Sequence, residues 1–156
     1  MRMRSYVPDL TRFSGLCEAN YARLERLRRL NGERSDGAQG IRFALHHGDD
    51  YLGAVAMSRL QVARYTETWM LEQVHNAGRW LNNPRMTVRC YHDARMSEVI
   101  SCYRHQRVRA VNDYPNRYMH HPDEKLQING FLAEWLDFCL KFGHVAGLTS
   151  LWTPEV

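Results

Sequence analysis

The sequence has no long apolar run and no paired cysteine motif. No stretch of about 18 apolar residues occurs, so nothing predicts a membrane span. Residues 1–4 are basic but no apolar segment follows them, which argues against a signal peptide, and we expect a cytoplasmic protein. The four cysteines are far apart, without a Cys-x-x-Cys pair, and each falls on the apolar face of a predicted element. We therefore expect free, buried thiols rather than disulfides or structural zinc.

The strings that mark common nucleotide-binding and hydrolase folds are also missing. The sequence contains no Walker, Rossmann or Gly-x-Ser-x-Gly string. The glycine-rich residues 31–40 lack the Gly-Lys-Ser/Thr ending of a phosphate loop and are interpreted as a polar connector. Nothing in the sequence predicts a cofactor.

Lysine is scarce, and arginine supplies 19 of the 21 cationic residues. Arginine favours bidentate contacts to carboxylate or phosphate, although the base composition of a genome can produce the same bias. Residues 1–34 carry eight arginines against four acids, residues 35–121 eleven against eight, and residues 122–156 two lysines against five acids. The body of the chain is thus basic and its final segment acidic. A length of 156 residues predicts a single domain over 1–156.

The hydrophobic pattern predicts two helices with strands between them. Apolar spacings of three and four predict a helix over 9–30 and a core helix over 122–142, which Pro122 starts and Gly143 ends. Strands are predicted at 41–46, 51–60, 65–75 and 86–92, and the segment 104–111 is extended in propensity, before a turn at 113–116. Residues 94–103 fit either a helix or a strand, and we favour a hairpin. The tail 144–156 carries apolar residues that would suit packing on another subunit of a homo-oligomer. The fold prediction is α+β: an antiparallel sheet of about five strands flanked by an N-terminal and a C-terminal helix.

One predicted strand, residues 65–75, has a face of mixed character. Side chains two apart point to the same side of a strand, so Tyr65, Trp69 and Leu71 share a face with Glu67 and Gln73. That face is apolar in its middle and polar at its ends.

The densest polar cluster follows the strand at 86–92. His92, Asp93 and Glu98 are the candidate catalytic residues, because a histidine beside a carboxylate can act as a general base. Candidate ligand-binding residues around them are Arg89, Tyr91 and Arg95. The alternative is local: Asp93 opening a type I turn needs no chemistry to explain it. Neighbouring strand residues also point to opposite faces, which weakens the idea of a shared metal.

The first turns of the last helix carry a second polar group. Its members, also candidates for binding a ligand, are Asp123, Lys125, Gln127 and Asn129. A helix amino terminus can receive a phosphate, but acids in the first turn are equally explained by capping. Residues 120–124 have the ligand types of a metal site without the spacing of zinc motifs, and we predict no metal.

A third candidate site is Arg64 beside Tyr65, where an arginine and an aromatic ring could hold a phosphate and stack a base. Its alternative is a hairpin corner with Tyr65 packed inward. Arginines and aromatics also interleave at 103–109, as on some nucleic-acid surfaces. The glycine-aromatic strings of an RNA-recognition sheet are absent and the net charge is only +4, so nucleic acid is not the favoured partner.

Several local strings occur together in one known family. They are Arg-Tyr-Thr at 64–66, Met-Thr-Val-Arg-Cys-Tyr-His-Asp-Ala at 86–94, Ser-Glu-Val at 97–99, Tyr-Pro-Asn at 114–116, Asp-Glu-Lys-x-Gln-Ile-Asn at 123–129 and Phe-Leu-Ala-Glu-Trp-Leu at 131–136. In combination they resemble the YqiB-like family of proteobacteria, a domain of unknown function, over residues 7–143. The resemblance implies a small cytoplasmic bacterial protein and assigns no activity.

Two functional hypotheses follow from the residues. The leading one is a binding or interaction module whose Arg-rich, polar sheet face recognises an anionic ligand, a nucleotide or a protein partner. The competing one is a small hydrolase acting on a nucleotide or phosphoester, with His92, Asp93 and Glu98 as acid and base groups. Nucleic-acid binding ranks third. The spatial question is whether His92, Glu98, Arg64 and Asp123 meet in one pocket.

Overall fold

A computed structural model describes residues 10–30, 40–76, 83–104 and 122–143 as two helices and five strands. The elements follow one another as α1 (Leu10–Leu30), β1 (Gly40–His47), β2 (Asp50–Val62), β3 (Thr66–Asn76), β4 (Pro84–Tyr91), β5 (Met96–Arg104) and α2 (Pro122–Phe142). The strands pair antiparallel in the order of the chain, β1-β2-β3-β4-β5. The predicted α+β class is confirmed, with one helix before the sheet and one after it.

The structure resolves the ambiguity at residues 94–103 in favour of the hairpin, since β5 pairs with β4 from Tyr91 and Met96 onward. Two expected strand residues lie in turns instead. β3 begins after Tyr65, and β4 ends before His92. The predictions for 105–111, for the turn at 113–116 and for the tail 144–156 fall outside the described residues.

The hydrophobic core lies between the two helices and one face of the sheet. Leu132, Trp135 and Leu136 of α2 are fully buried in it, and α2 contacts both edge strands, β1 and β5. Each such side chain contributes about 1.5–3 kcal/mol of burial before entropy is counted. The helix ends as predicted, because the N–H of Gly143 donates to the carbonyl of Cys139 at 2.7 Å. No helix within the described residues is long and apolar enough to cross a membrane.

The mixed face predicted for the third strand is confirmed in β3. Trp69 and Leu71 are buried in its middle, and a polar residue lies on the same face near each end. A tryptophan indole satisfies each of them: Trp69 Nε1 donates to Glu67 Oε2 at 3.0 Å, and Trp135 Nε1 donates to Gln73 Oε1 at 3.0 Å. The polar ends therefore do not leave unpaired atoms in the core.

All four cysteines are buried and free, as expected from the sequence. Burial raises the pKa of the Cys17 and Cys90 thiols to about 11. Thiols with such pKa values stay protonated near neutral pH and are poor nucleophiles. These two cysteines are therefore packing residues rather than candidates for covalent chemistry.

Candidate functional site

The β2–β3 and β4–β5 turns lie side by side at one end of the sheet. The backbone N–H of His92 donates to the carbonyl of Tyr65 at 2.8 Å, which ties the two turns together. The β4–β5 turn is tight, and Arg95 adopts a left-handed φ of 53° in it. This end of the sheet thus brings together Arg64 and Tyr65 from one turn with His92, Asp93 and Arg95 from the other.

Tyr65 projects outward from the β2–β3 turn. Its side chain is 53% exposed, and the guanidinium of Arg64 lies 5.2 Å from the centre of its ring. The alternative of an inward-packed hairpin corner is therefore wrong. An arginine over an exposed aromatic ring is a stable surface pair and remains open to other contacts.

His92 joins α1 to β3 through both of its ring nitrogens. Nδ1 lies 2.8 Å from the hydroxyl oxygen of Tyr21, and Nε2 lies 3.0 Å from Oε1 of Glu67. The rings of Tyr21 and His92 also meet edge to face, with centroids 5.7 Å apart. Asp93 is exposed in the turn. The carboxylate that orients His92 is thus Glu67, and not Asp93 or Glu98 as the sequence suggested.

Glu67 is surrounded by donors. Its Oε2 atom lies 3.1 Å from Nε of Arg59 and 3.5 Å from Nη2 of Arg28, besides the indole N–H of Trp69. Both guanidinium groups also lie over the Trp69 ring, 4.6 Å and 5.0 Å from its centre. Burial alone would raise the pKa of the Glu67 carboxyl, but the charges of Arg28 and Arg59 and the hydrogen bonds lower it below its ordinary value. Glu67 is therefore ionised at neutral pH.

An ionised Glu67 determines which nitrogen carries the proton in a neutral His92 ring. A carboxylate only accepts hydrogen bonds, so the proton between the two groups belongs to Nε2 of His92. In the neutral ring Nδ1 is then an acceptor, and the hydroxyl of Tyr21 donates to it. Burial, with the charge of Glu25, raises the pKa of the Tyr21 hydroxyl, which keeps that proton in place.

A cleft of about 750 Å³ opens beside this chain, between α1 and the β4–β5 turn. Its lining consists of Glu18, Tyr21, Ala22, Glu25 and Arg29 from α1, and of His92, Ala94 and Arg95 from the turn. The helix residues recur at spacings of three and four, so they form one face of α1. The volume lies within the range of small-molecule sites, about 300–1,000 Å³.

The charges of the cleft are only partly neutralised from within the protein. Glu25 is paired with Arg28 at 2.7 Å. Arg29 and Arg95 are exposed, and neither has an acidic partner among the residues that the structure describes. Two guanidinium groups on the cleft wall are therefore available to a ligand.

Glu98 belongs to a different polar group. Its neighbours Ser97 and Val99 are fully buried, so Glu98 points away from the core. The hydroxyl of Tyr91 donates to its Oε1 at 3.3 Å, and Nζ of Lys125 lies 3.7 Å from its Oε2. The structure therefore separates Glu98 and Tyr91 from His92, although the sequence grouped the three residues together.

Two arginines of the outer sheet face, Arg85 and Arg89, pack against neighbours within the sheet. Nε of Arg89 lies 3.5 Å from the hydroxyl of Thr68, and the guanidinium of Arg85 lies 5.1 Å from the ring centre of Tyr103. Neither arginine lines the cleft.

Asn129, a candidate ligand-binding residue, has a structural role. The register of β5 against β4 shifts next to Val99, and Asn129 Oδ1 accepts the Val99 N–H at 2.9 Å. Its Nδ2 donates to the carbonyl of Lys125 at 2.8 Å, and the side chain is fully buried. Asn129 is thus not accessible to a ligand, while Gln127 is exposed on the same helix. Asp123 lies in α2, but its side chain is outside the described residues.

The sequence-based search missed Tyr21, Glu67 and the two arginines of α1, Arg28 and Arg29. A signal for Glu67 was present, since an acid on an otherwise apolar strand face needs donors around it. Tyr21 gave no such signal, because an aromatic residue on the apolar stripe of a helix is explained by packing alone.

Comparison with known proteins gives a family without an assigned activity. Residues 26–145 match the family described as "Protein of unknown function (DUF1249)". The chain is 39% identical over 147 residues to "Uncharacterized protein YqiB" of Escherichia coli strain K12, which covers 92% of this chain and 97% of the relative. The YqiB proteins of the Escherichia coli strains CFT073 and O157:H7 match with the same identity and coverage. No solved structure matches the chain significantly. The chain therefore belongs to the DUF1249 family and is similar to the YqiB proteins, as the strings in its sequence suggested.

Proposed function

We propose that the protein is a binding module that takes a small anionic ligand in the cleft between α1 and the β4–β5 turn. One observation supports this above all: Arg29 and Arg95 line a cleft of ligand size, and neither is paired with a described acid. A guanidinium group matches the oxygens of carboxylate and phosphate better than any other side chain.

The charges around the cleft favour an anion. Four guanidinium groups, of Arg28, Arg29, Arg59 and Arg95, stand against three carboxylates, of Glu18, Glu25 and Glu67. Glu25 and Glu67 are held by Arg28 and Arg59, so their repulsion of an incoming anion is reduced. The balance of these charges is positive.

Isothermal titration calorimetry with inorganic phosphate tests the proposal. Arg29→Ala and Arg95→Ala should each weaken binding about fivefold or more, because each removes a charged hydrogen-bond donor from the cleft wall. Arg26→Ala is the matched control, since Arg26 is exposed on the same helix but does not line the cleft. Equal losses in all three variants would show an effect of net charge only. An unsubstituted protein that does not bind phosphate would contradict the proposal.

A small hydrolase acting on a phosphoester is a second candidate, and the hydrogen-bonded chain Tyr21–His92–Glu67 favours it. A carboxylate that orients a histidine is an arrangement that positions a general base in enzymes. A screen of nucleotides and phosphoesters should then reveal turnover that His92→Ala abolishes. Glu98→Ala should retain it, because Glu98 contacts Tyr91 and Lys125 instead. Turnover that survives His92→Ala would contradict this function.

A further inference from the structure

We infer that the cleft selects inorganic phosphate, which keeps one proton as hydrogen phosphate, over oxyanions that carry no proton, such as sulfate, and that Tyr21 is the residue responsible. The inference rests on the proposed anion-binding function and names the ligand class of the same site.

The protons of the hydrogen-bonded chain Tyr21–His92–Glu67 are already used in hydrogen bonds within the protein. Glu67, held between Arg28 and Arg59, accepts the Nε2 proton of His92 across 3.0 Å. Nδ1 of His92 then accepts the hydroxyl proton of Tyr21 across 2.8 Å. The hydroxyl oxygen of Tyr21 can therefore offer the cleft only its lone pairs.

A hydrogen-bond acceptor in an anion-binding site favours anions that carry a proton over anions that carry none. Hydrogen phosphate keeps one P–OH group, which can donate to the oxygen of Tyr21. Sulfate has the same tetrahedral shape but no proton. One of its oxygens would either face the lone pairs of the Tyr21 oxygen, which is repulsive, or accept the Tyr21 hydroxyl proton, which would break the hydrogen bond to His92. Either arrangement loses a hydrogen bond in a half-buried site, which is the kind of loss that gives strong selectivity.

Other groups in the cleft lining do not make this distinction. Arg29 and Arg95 are donors only, and they can bind sulfate as well as phosphate. Glu18 and Glu25 could also accept from a P–OH group. Glu18 is exposed, so water can replace it there at little cost, and Glu25 is already paired with Arg28 at 2.7 Å. The preference should therefore depend on Tyr21 and not on the arginines.

Calorimetric titrations with phosphate and with sulfate at about pH 8 test the inference. Both anions are mostly divalent under these conditions, so charge is matched. We expect sulfate to bind at least about tenfold more weakly than phosphate. Tyr21→Phe removes one oxygen and should make the two affinities nearly equal. Tyr51→Phe is the control, because Tyr51 lies beside the β1–β2 turn at the opposite end of the sheet.

The possible failures are distinguishable. Equal binding of the two anions, tighter binding of sulfate, or a preference that Tyr21→Phe retains would overturn the inference and leave anion binding intact. Binding of neither anion would overturn the proposed function itself. If Tyr21→Phe does not fold, long-range proton–nitrogen NMR spectra of the unsubstituted protein decide. They should show His92 protonated at Nε2, whereas a proton at Nδ1 would turn the Tyr21 hydroxyl toward the cleft and overturn the inference.

Discussion

Replacing Glu67 with glutamine should destabilise the protein by about 2–3 kcal/mol at neutral pH. The substitution keeps the length of the side chain and one acceptor oxygen, but removes the charge that faces Arg28, Arg59 and His92. Hydrogen bonds to charged groups contribute about 1.5–3 kcal/mol and neutral ones about 0.5–1.5 kcal/mol, so each weakened contact costs about 1 kcal/mol. Arg28 keeps a second partner in Glu25, which limits the loss on that side. Urea-induced unfolding, followed by tryptophan fluorescence, measures the difference.

The cost of Glu67→Gln should also depend on pH. In the folded protein the pKa of Glu67 lies below its ordinary value of 4.5, so the unfolded chain takes up this proton first as the pH falls. The stability contributed by the carboxylate is thus complete at neutral pH and is lost as the pH falls through its folded pKa. Glutamine takes up no proton, and the difference between the two proteins should shrink on acidification.

Glu72→Gln provides the control for Glu67→Gln. Glu72 lies on the same strand, but its neighbours Leu71 and Gln73 are buried, so it faces the other side of the sheet. We expect it to cost less than about 0.5 kcal/mol. Equal costs for the two substitutions, or a Glu67→Gln deficit that stays constant from neutral to acidic pH, would refute the argument that the Glu67 charge balances those of Arg28 and Arg59.

Two further substitutions test backbone contacts that shape the sheet. Asn129→Ala should lower the free energy of unfolding by about 2 kcal/mol in the same urea titration, because the buried N–H of Val99 loses its acceptor. Gln127 is exposed on the same helix, so Gln127→Ala should cost much less. Equal costs would contradict the role of the Asn129 amide. Gly53→Ala should lower the free energy of unfolding by more than about 3 kcal/mol, since at a φ of 141° the added methyl group would meet a backbone carbonyl of β3. Gly15→Ala, with open space around it in α1, should be neutral or stabilising, and similar unfolding midpoints for the two alanine variants would refute the steric argument.

The elements of the fold could be predicted because their signals are local. Pro122 and Gly143 mark the ends of α2 within one turn of the helix, and the burial of Trp135 follows from apolar spacing alone. The hairpin at β4 and β5 was ambiguous for the same reason, since Val99 and Ile100 suit both a helix and a strand. Pairing with β4 decides it, and that pairing is a contact between elements rather than a property of the segment.

The site could be predicted only in part because its contacts join distant positions. Periodicity placed Glu67 on the core face of β3 but could not show that His92, in another turn, reaches it. Tyr21 and His92 are 71 positions apart in the chain, and only the packing of α1 against the sheet brings them together. The strings shared with the family did not identify the site residues either. Asn129 lies in one of these strings, but its role is to support the backbone of β5.

The two polar residues on the core face of β3 show why one end of this strand is structural and the other a candidate site. Gln73 is 1% exposed, and its amide is used by the indole of Trp135 and by the carbonyl of His75, both neutral partners. Such a group is satisfied inside the core and has no contact left for a ligand. Glu67 instead is charged and is paired with two arginines. It also hydrogen-bonds His92, which in turn hydrogen-bonds the hydroxyl of Tyr21 on the wall of the cleft. A carboxylate costs more to bury than an amide, and the hydrogen-bonded chain from Glu67 to the cleft gives that cost a functional explanation.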